Sequence, residues 1–217
     1  MSAEIKFCGL TRPEDADFAA SLGAAYVGVI FAGGPRSLNI PRAMEVLGVV
    51  PRTVARVGVF ADQTADEITD SARVLELDVL QLHGSFDPAR VAALRRTFAG
   101  EIWPVCRLAS AVLPPVVNEM LAVGDGLLLD AAVPGKLGGT GVTLPWADLS
   151  DPLRELRRFK RIILAGGLRP ENVGQAIAQL SPDVVDVSSG VESSPGIKDH
   201  DRMREFRDAV DHVASTT

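Results

Sequence analysis

The stretch that most restricts the fold of this chain runs from Arg161 to Gly190 and contains two strand patterns separated by one helix pattern. Its first apolar run, Ile162–Ala165, is typical of a buried parallel strand, and Pro170 begins a segment whose apolar residues recur at helical spacing. Val184–Val187 is a second short strand pattern. The stretch therefore predicts a strand–helix–strand unit with parallel strands.

Small residues follow both strands of this unit. Glycines allow backbone N–H groups to approach a ligand closely, and serine hydroxyls add donors, so two such loops at neighbouring strand ends can form a phosphate site. In (β/α)8 barrels such a site follows the seventh and eighth strands. A glycine pair after a strand is also the usual sequence of a simple turn. The candidate phosphate-binding residues are Gly166, Gly167, Ser188, Ser189 and Gly190.

Six further strand patterns, each followed by a helix pattern, precede this unit. They are Glu4–Cys8, Ala25–Phe31, Ala55–Phe60, Asp78–Gly84, Ile102–Arg107 and Gly126–Asp130. Eight such pairs in 217 residues predict a single (β/α)8 TIM barrel that occupies residues 1–217 as one domain, because α/β barrels routinely fill about 200 to 250 residues. A flavodoxin-like or Rossmann sheet needs fewer strands and would leave several of these unused.

Charge and cysteine content argue against several kinds of partner. The chain has 22 Lys and Arg against 28 Asp and Glu, for a formal net charge of −6, and it contains no basic run, so neither nucleic acid nor an anionic membrane surface is expected as a partner. Cys8 and Cys106 show no metal-ligand spacing or disulfide pattern, which indicates a reducing, cytoplasmic location and no metal. The uncharged stretch Phe18–Pro35 is interrupted by glycines, so it does not predict a membrane span.

Two candidate acid–base residues end strands on the same side of the predicted barrel. Alternation along the first strand directs Lys6 and Cys8 into the barrel, where the ammonium could lower the pKa of the thiol against the opposing effect of burial. A free cysteine is as often a small buried hydrophobe. Asp130 ends the sixth strand at the same level, so it is the best candidate acid.

Two further candidates are a loop arginine and a strand-end histidine. Arg36 is the one charge in the loop after the second strand, where it could bind a substrate carboxylate through two hydrogen bonds. A lone loop arginine is more often a solvated surface residue. His83 ends the fourth strand, and a histidine there is as often structural as catalytic.

Several segments carry a family resemblance when they are read in chain order. They are Lys6–Thr11, Gly34–Arg36, Gln81–Gly84, Leu128–Asp130, Gly138–Gly141, Leu164–Leu168, Glu171–Val173 and Asp186–Glu192. Over essentially the whole chain, this set resembles the phosphoribosylanthranilate isomerase family of tryptophan biosynthesis. One departure is Gly34, where the family usually has serine before the Pro-Arg of the second loop, and this loop is also shorter here.

The resemblance implies an Amadori rearrangement of N-(5′-phosphoribosyl)anthranilate to 1-(o-carboxyphenylamino)-1-deoxyribulose 5-phosphate without a metal or organic cofactor. By the same resemblance, Cys8 is the general base, Asp130 is the general acid, and Arg36 binds the anthranilate carboxylate. His83 and Asp186 match positions near the substrate. From its residues alone, the glycine stretch that contains Gly141 could add backbone amides to the phosphate site or close over the ligand, and simple linker flexibility is the alternative. The implied partner is a small phosphorylated molecule, and the chain is expected to be a monomer or a homodimer.

Two alternatives to this function remain open from the sequence. One is another sugar-phosphate barrel, such as the histidine-pathway isomerase, which runs the same rearrangement with two paired carboxylates, whereas the first strand here ends in Cys8. The other is a barrel that binds phosphorylated ligands without catalysis. Turnover of phosphoribosylanthranilate separates the three.

Overall fold

A computed structural model describes residues 3–108, 110, 112–131 and 146–216 of the chain. The eight barrel strands are β1 (Glu4–Phe7), β2 (Tyr26–Ile30), β3 (Ala55–Phe60), β4 (Val79–Leu82), β5 (Glu101–Leu108), β6 (Gly126–Ala131), β7 (Arg161–Leu164) and β8 (Val184–Val187). The helices are α1 (Pro13–Ser21), α2 (Ile40–Gly48), α3 (Ala65–Leu75), α4 (Pro88–Arg95), α5 (Val116–Val123), α6 (Trp146–Leu156), α7 (Pro170–Leu180) and α8 (His200–Thr216).

The eight strands form a closed barrel in which each strand pairs in parallel with its sequence neighbours, and β1 pairs with both β2 and β8. The prediction of a (β/α)8 barrel is therefore confirmed. In the β1–β8 register Lys6 lies opposite Asp186, so two inward-facing charged side chains meet where the barrel closes.

Alternation along the strands divides the buried residues into two layers. On β6, Leu127 and Leu129 pack in the outer layer against the helices, whereas Leu128 belongs to the cluster inside the barrel. On β1, Phe7 faces outward and its ring lies 6.1 Å from that of Phe206 on α8. Burial of both layers is the main stabilising contribution to such a fold. The inner cluster includes Tyr26, Val57, Val79, Trp103, Val105, Leu128, Ile163 and Val184.

A short antiparallel hairpin lies between β8 and α8. A 3-10 turn at Ser189–Val191 leads into β9 (Glu192–Ser194), which pairs with β10 (Ile197–Lys198). The pairing register shifts between Ile197 and Lys198, and the side chain of Lys198 is fully buried. The sequence patterns did not predict this hairpin, although it brings Lys198 back towards the barrel.

The start of α1 differs from the sequence prediction. The order Thr11-Arg12-Pro13-Glu14 predicts a capping box with Thr11 as the N-cap. In the structure Arg12 is the N-cap residue and no side chain caps the helix. The hydroxyl of Thr11 instead donates to the carbonyl of Gly196 in the β9–β10 turn. The order Thr64-Ala65-Asp66-Glu67 predicts a capping box for α3 in the same way, and there the prediction is confirmed, because Thr64 and Glu67 form a reciprocal capping box.

Candidate active site

A cavity opens at the end of the barrel formed by the carboxyl ends of the strands. Active sites of (β/α)8 enzymes occupy this end because the strand-to-helix loops surround it. Leu128 and Ala165 of the inner cluster form part of its apolar floor. The cavity is lined by nine of the predicted site residues: Cys8, Arg36, His83, Asp130, Gly166, Gly167, Asp186, Ser188 and Ser189.

Cys8 follows β1 directly, and its thiol lies beside the Lys6 ammonium. A methyl group on Gly28 of β2 would come 3.0 Å from Cys8 Sγ and 3.3 Å from Lys6 Nζ, so the absence of a side chain at Gly28 leaves space for both groups. Burial raises the pKa of the Cys8 thiol; Lys6 lowers it and Asp186 raises it, and the net pKa is raised. Lys6 therefore opposes the effect of burial, as the sequence predicts, without outweighing it.

Lys6 and Asp186 form a buried ion pair under Cys8. Lys6 Nζ lies 2.9 Å from Asp186 Oδ2, and the lysine side chain is fully buried. Burial lowers the pKa of Lys6, but the charges of Asp186 and of the Cys8 thiolate outweigh that effect and the net pKa is raised. Asp186 Oδ1 has no hydrogen-bond partner among the described residues. Asp186 therefore holds the lysine with one oxygen, and its other oxygen is buried without a partner among those residues.

His83 and Asp130 lie on the opposite side of the cavity mouth. His83 Nε2 is 3.7 Å from Asp130 Oδ2, and both side chains are largely buried. Burial, with smaller contributions from the Arg107 and Lys6 charges, lowers the pKa of His83 to about 4. His83 is therefore neutral at pH 7, so it adds no positive charge beside the carboxyl group of Asp130. His83 Nδ1 is buried and has no partner among the described residues.

Arg36 is not the solvated surface residue that a lone loop arginine usually is. Arg36 Nε donates to Glu192 Oε1 at 2.8 Å, and Nη2 donates to Glu192 Oε2 at 2.6 Å. Lys198 Nζ donates to the same Oε1 at 2.8 Å. Three charged side chains thus meet between the β2–α2 loop and the β9–β10 hairpin, with Arg36 at the cavity wall.

The two small-residue loops after β7 and β8 are adjacent at the cavity. Gly166 and Gly167 have φ of 87° and 66°, the left-handed region that favours glycine. Ser188 and Ser189 line the cavity beside them, whereas Gly190 is not among the lining residues. A side chain at Gly190 would overlap the carbonyl oxygen of Leu168, so this glycine allows the two loops to pack closely. Gly141 lies outside the described residues.

The comparisons with known proteins agree with this arrangement. A family model described as N-(5′-phosphoribosyl)anthranilate (PRA) isomerase matches residues 5–209. The isomerase of that name from Acidithiobacillus ferrooxidans is 44% identical over 204 residues, which cover 93% of this chain and 94% of that protein. The chain belongs to the PRA isomerase family.

Solved structures of PRA isomerases share the whole barrel. The crystal structure of the Thermotoga maritima enzyme superposes with a TM-score of 0.85 at 32% identity, covering 97% of this chain and 99% of that one. Another PRA isomerase, at a TM-score of 0.81 and 31% identity over 97% of this chain and 99% of that one, was solved in complex with reduced 1-(o-carboxyphenylamino)-1-deoxyribulose 5-phosphate. The family resemblance predicted from the motifs is confirmed.

Among the residues that the structure describes, no group of three or more His, Cys, Asp or Glu side chains could hold a metal ion. Within the same residues, no helix is long and apolar enough to cross a membrane.

Sequence reasoning missed parts of the site that depend on tertiary contacts. The role of Gly28 follows from a close approach between β1 and β2, which no local pattern reports. Glu192 belongs to a recognised motif, but its partner Arg36 is 156 residues away. No sequence pattern indicates a role for Lys198, because the irregular β9–β10 register determines the direction of its side chain.

Proposed function

We propose that the chain catalyses the Amadori rearrangement of N-(5′-phosphoribosyl)anthranilate in tryptophan biosynthesis, with Cys8 as general base and Asp130 as general acid. The observation that carries this proposal is that both side chains line one cavity whose remaining wall offers donors for two separate anions. The substrate has an anion at each end, a phosphate and a carboxylate. Membership of the PRA isomerase family supports the same reaction.

The reaction needs two proton transfers. Asp130 donates a proton to the furanose oxygen as the C1′–O bond breaks, which opens the ring and leaves an iminium. The Cys8 thiolate then removes the proton from C2′, and the resulting enolamine tautomerises to the ketone. Positioned side chains contribute typically about 100-fold to 10,000-fold to such steps. A neutral His83 beside Asp130 suits this assignment, because a cation there would favour loss of the acid's proton.

Cys8 must lose its proton before it can act. Because the net pKa of the thiol is raised, the thiolate is a minor species at neutral pH, and Lys6 is the group that stabilises it. We therefore expect the rising limb of the pH profile of kcat/KM to report the ionisation of Cys8. Asp186, which holds Lys6, and His83 are assigned positioning roles towards the substrate.

The anionic ends of the substrate have separate binding groups in this proposal. Gly166, Gly167, Ser188, Ser189 and Gly190, with Gly141 from the adjoining loop, bind the phosphate, and Arg36 binds the anthranilate carboxylate. Arg36 retains donors beyond those it gives Glu192, and positive φ at both loop glycines supports backbone donation to the phosphate.

Conversion of phosphoribosylanthranilate by the purified chain, followed by chromatographic separation of substrate and product, tests the reaction directly. Gly167→Asp tests the phosphate site, since a carboxylate there would repel the phosphate and raise KM strongly. Arg73→Lys on the exposed face of α3 is the control. Tight binding without turnover would indicate a ligand-binding barrel, and an unchanged KM in Gly167→Asp would move the phosphate elsewhere.

The remaining expectations concern the setting of the enzyme. We propose a small-molecule partner, a cytoplasmic location in which Cys8 stays reduced, one domain over residues 1–217, and a monomeric or homodimeric state. Sedimentation velocity of the purified chain measures that state.

A further inference from the structure

Arg36, Glu192 and Lys198 form one buried charged cluster, which we call the carboxylate-end cluster. Glu192 accepts two hydrogen bonds from Arg36 and one from Lys198, and its side chain is only 4% exposed. Lys198 is fully buried. Burying three charged groups is costly unless each is paired with good geometry, so the cluster fixes the direction of all three side chains.

The pairing with Glu192 leaves a defined part of Arg36 for another anion. A guanidinium group carries five N–H donors in a rigid fork. Glu192 takes Nε and one hydrogen of Nη2, and Nη1 has no acceptor among the described residues. The remaining edge, formed by Nη1 and Nη2, matches a second carboxylate in bidentate geometry. Because Arg36 lines the cavity, Glu192 determines how that edge is oriented there.

Lys198 decides the net charge of the cluster. Arg36 and Glu192 alone would be a neutral pair with little attraction for an anion. Lys198 Nζ contacts three acceptors, Glu192 Oε1 at 2.8 Å, the Ser188 carbonyl at 3.0 Å and the Ser188 hydroxyl at 3.5 Å. Three acceptors around one nitrogen fit the three donors of an ammonium group. With Lys198 protonated, the cluster carries a net charge of +1.

The two buried charges support each other. Burial lowers the pKa of Lys198; the Glu192 carboxylate opposes that effect without outweighing it, and the net pKa is lowered. Burial also raises the pKa of Glu192, but the hydrogen bonds and charges of Arg36 and Lys198 outweigh it, and the net pKa is lowered. Glu192 is therefore ionised at neutral pH and can hold both cations.

We propose that Glu192 and Lys198 are positioning residues for the carboxylate end of the substrate: Glu192 orients the free edge of Arg36, and Lys198 keeps the cluster cationic. This inference rests on the proposed role of Arg36. A different function for Glu192, as a competitor that the substrate carboxylate must displace from Arg36, predicts the opposite effect of removing its charge.

Two ligands that differ only in the carboxylate separate these functions. The first is reduced 1-(o-carboxyphenylamino)-1-deoxyribulose 5-phosphate, and the second is the same molecule with hydrogen in place of the carboxylate. We expect calorimetric titration of the parent chain to give about 10-fold to 100-fold tighter binding of the first, which is the usual effect of a charged hydrogen-bonded contact. In Glu192→Gln and in Lys198→Met the ratio of the two dissociation constants should fall to within a few-fold of one.

Several variants keep the result interpretable. Glu155→Gln, on α6, removes the exposed ion-pair partner of Arg158 and should leave the ratio of the two dissociation constants unchanged. Lys198→Arg keeps the charge and should retain most of the ratio. If Glu192→Gln does not fold, Glu192→Asp, which is too short to hold both cations, replaces it. Arg36→Ala should already have a ratio near one, so adding Glu192→Gln to it should change nothing.

The outcomes are distinct. A parent ratio near one would show that Arg36 does not bind the carboxylate, and the proposed role of Arg36 would fail. A large parent ratio that persists in both Glu192→Gln and Lys198→Met would overturn the positioning roles alone. A ratio that increases in Glu192→Gln would identify Glu192 as a competitor and would also overturn the inference.

Discussion

The two sides of the cavity mouth differ in how their charges are arranged. On the side of β1 and β8, Lys6, Asp186 and the carboxylate-end cluster surround Cys8 with paired charges. On the side of β4 and β6, Asp130 lies near a histidine that is neutral at pH 7. A base that must become an anion benefits from cations, whereas an acid that must keep its proton does not. The asymmetry therefore supports opposite roles for the two sides.

The largest expected effect comes from removing the proposed base on one side or the proposed acid on the other. Cys8→Ser should reduce kcat by about 100-fold to 10,000-fold because a hydroxyl is a much poorer base, and Asp130→Asn should do the same because an amide cannot donate the ring-opening proton. Both variants should still bind a product analogue. Near-parental turnover in Cys8→Ser would return this cysteine to the role of a buried packing residue.

A smaller effect is expected at the carboxylate end. Arg36→Lys replaces a planar guanidinium group by a single ammonium group. We expect kcat/KM to fall by a factor that corresponds to a loss of about 1 to 3 kcal/mol of transition-state stabilisation. Steady-state kinetics measures this loss, with Arg73→Lys at an exposed position as the control. Parental activity in Arg36→Lys would mean that a bidentate contact is not made.

The neutral His83 on the side of β4 and β6 should change how the free energy of unfolding depends on pH. Between pH 6.5 and 4, the unfolded chain protonates His83 while the folded chain, in which the pKa is about 4, does not, so His83 reduces stability as the pH falls. This contribution is about 2 kcal/mol between pH 7 and pH 5. Urea unfolding of His83→Gln should lack that part of the pH dependence, and His212→Gln, at an exposed position on α8, should retain it. Identical pH dependence in His83→Gln and the parent would contradict a neutral His83.

The smallest expected effect concerns the side of β1 and β8, where Lys6 lies beside Cys8. Lys6→Met should raise the pKa of Cys8 further, because the charge that opposes the effect of burial is lost. The pH dependence of alkylation at Cys8, measured by peptide mapping, reports this pKa. Cys106 is an internal control, since burial alone raises its pKa to about 11. Lys6→Met combined with Asp186→Asn avoids an unpaired buried carboxylate, and it is compared with Asp186→Asn alone because Asp186 itself raises the pKa of Cys8. No upward shift from the parent to Lys6→Met, and none from Asp186→Asn to the double variant, would exclude Lys6 as the stabilising charge.

The sequence predicts the repeating part of this molecule better than its connections. Apolar runs and glycine turns report the eight strands and the strand-end positions of Cys8 and Asp130, because alternation and chain direction determine both. The β9–β10 hairpin that directs Lys198 to Glu192 has no comparable periodicity. Whether Lys6 or burial dominates the pKa of Cys8 also depends on three-dimensional packing, so the sequence could name the two opposing effects but not their balance.

The division of roles between the two sides is tested most directly by a deuterium isotope effect at C2′ of the substrate. If Cys8 removes the C2′ proton, that step limits the rate in Cys8→Ser, and C2′-deuterated substrate should react with the largest isotope effect of the series. If Asp130 drives ring opening, that earlier step limits the rate in Asp130→Asn, and its isotope effect should fall below that of Cys8→Ser towards one. A large effect in Asp130→Asn together with none in Cys8→Ser would contradict the assignment of base and acid.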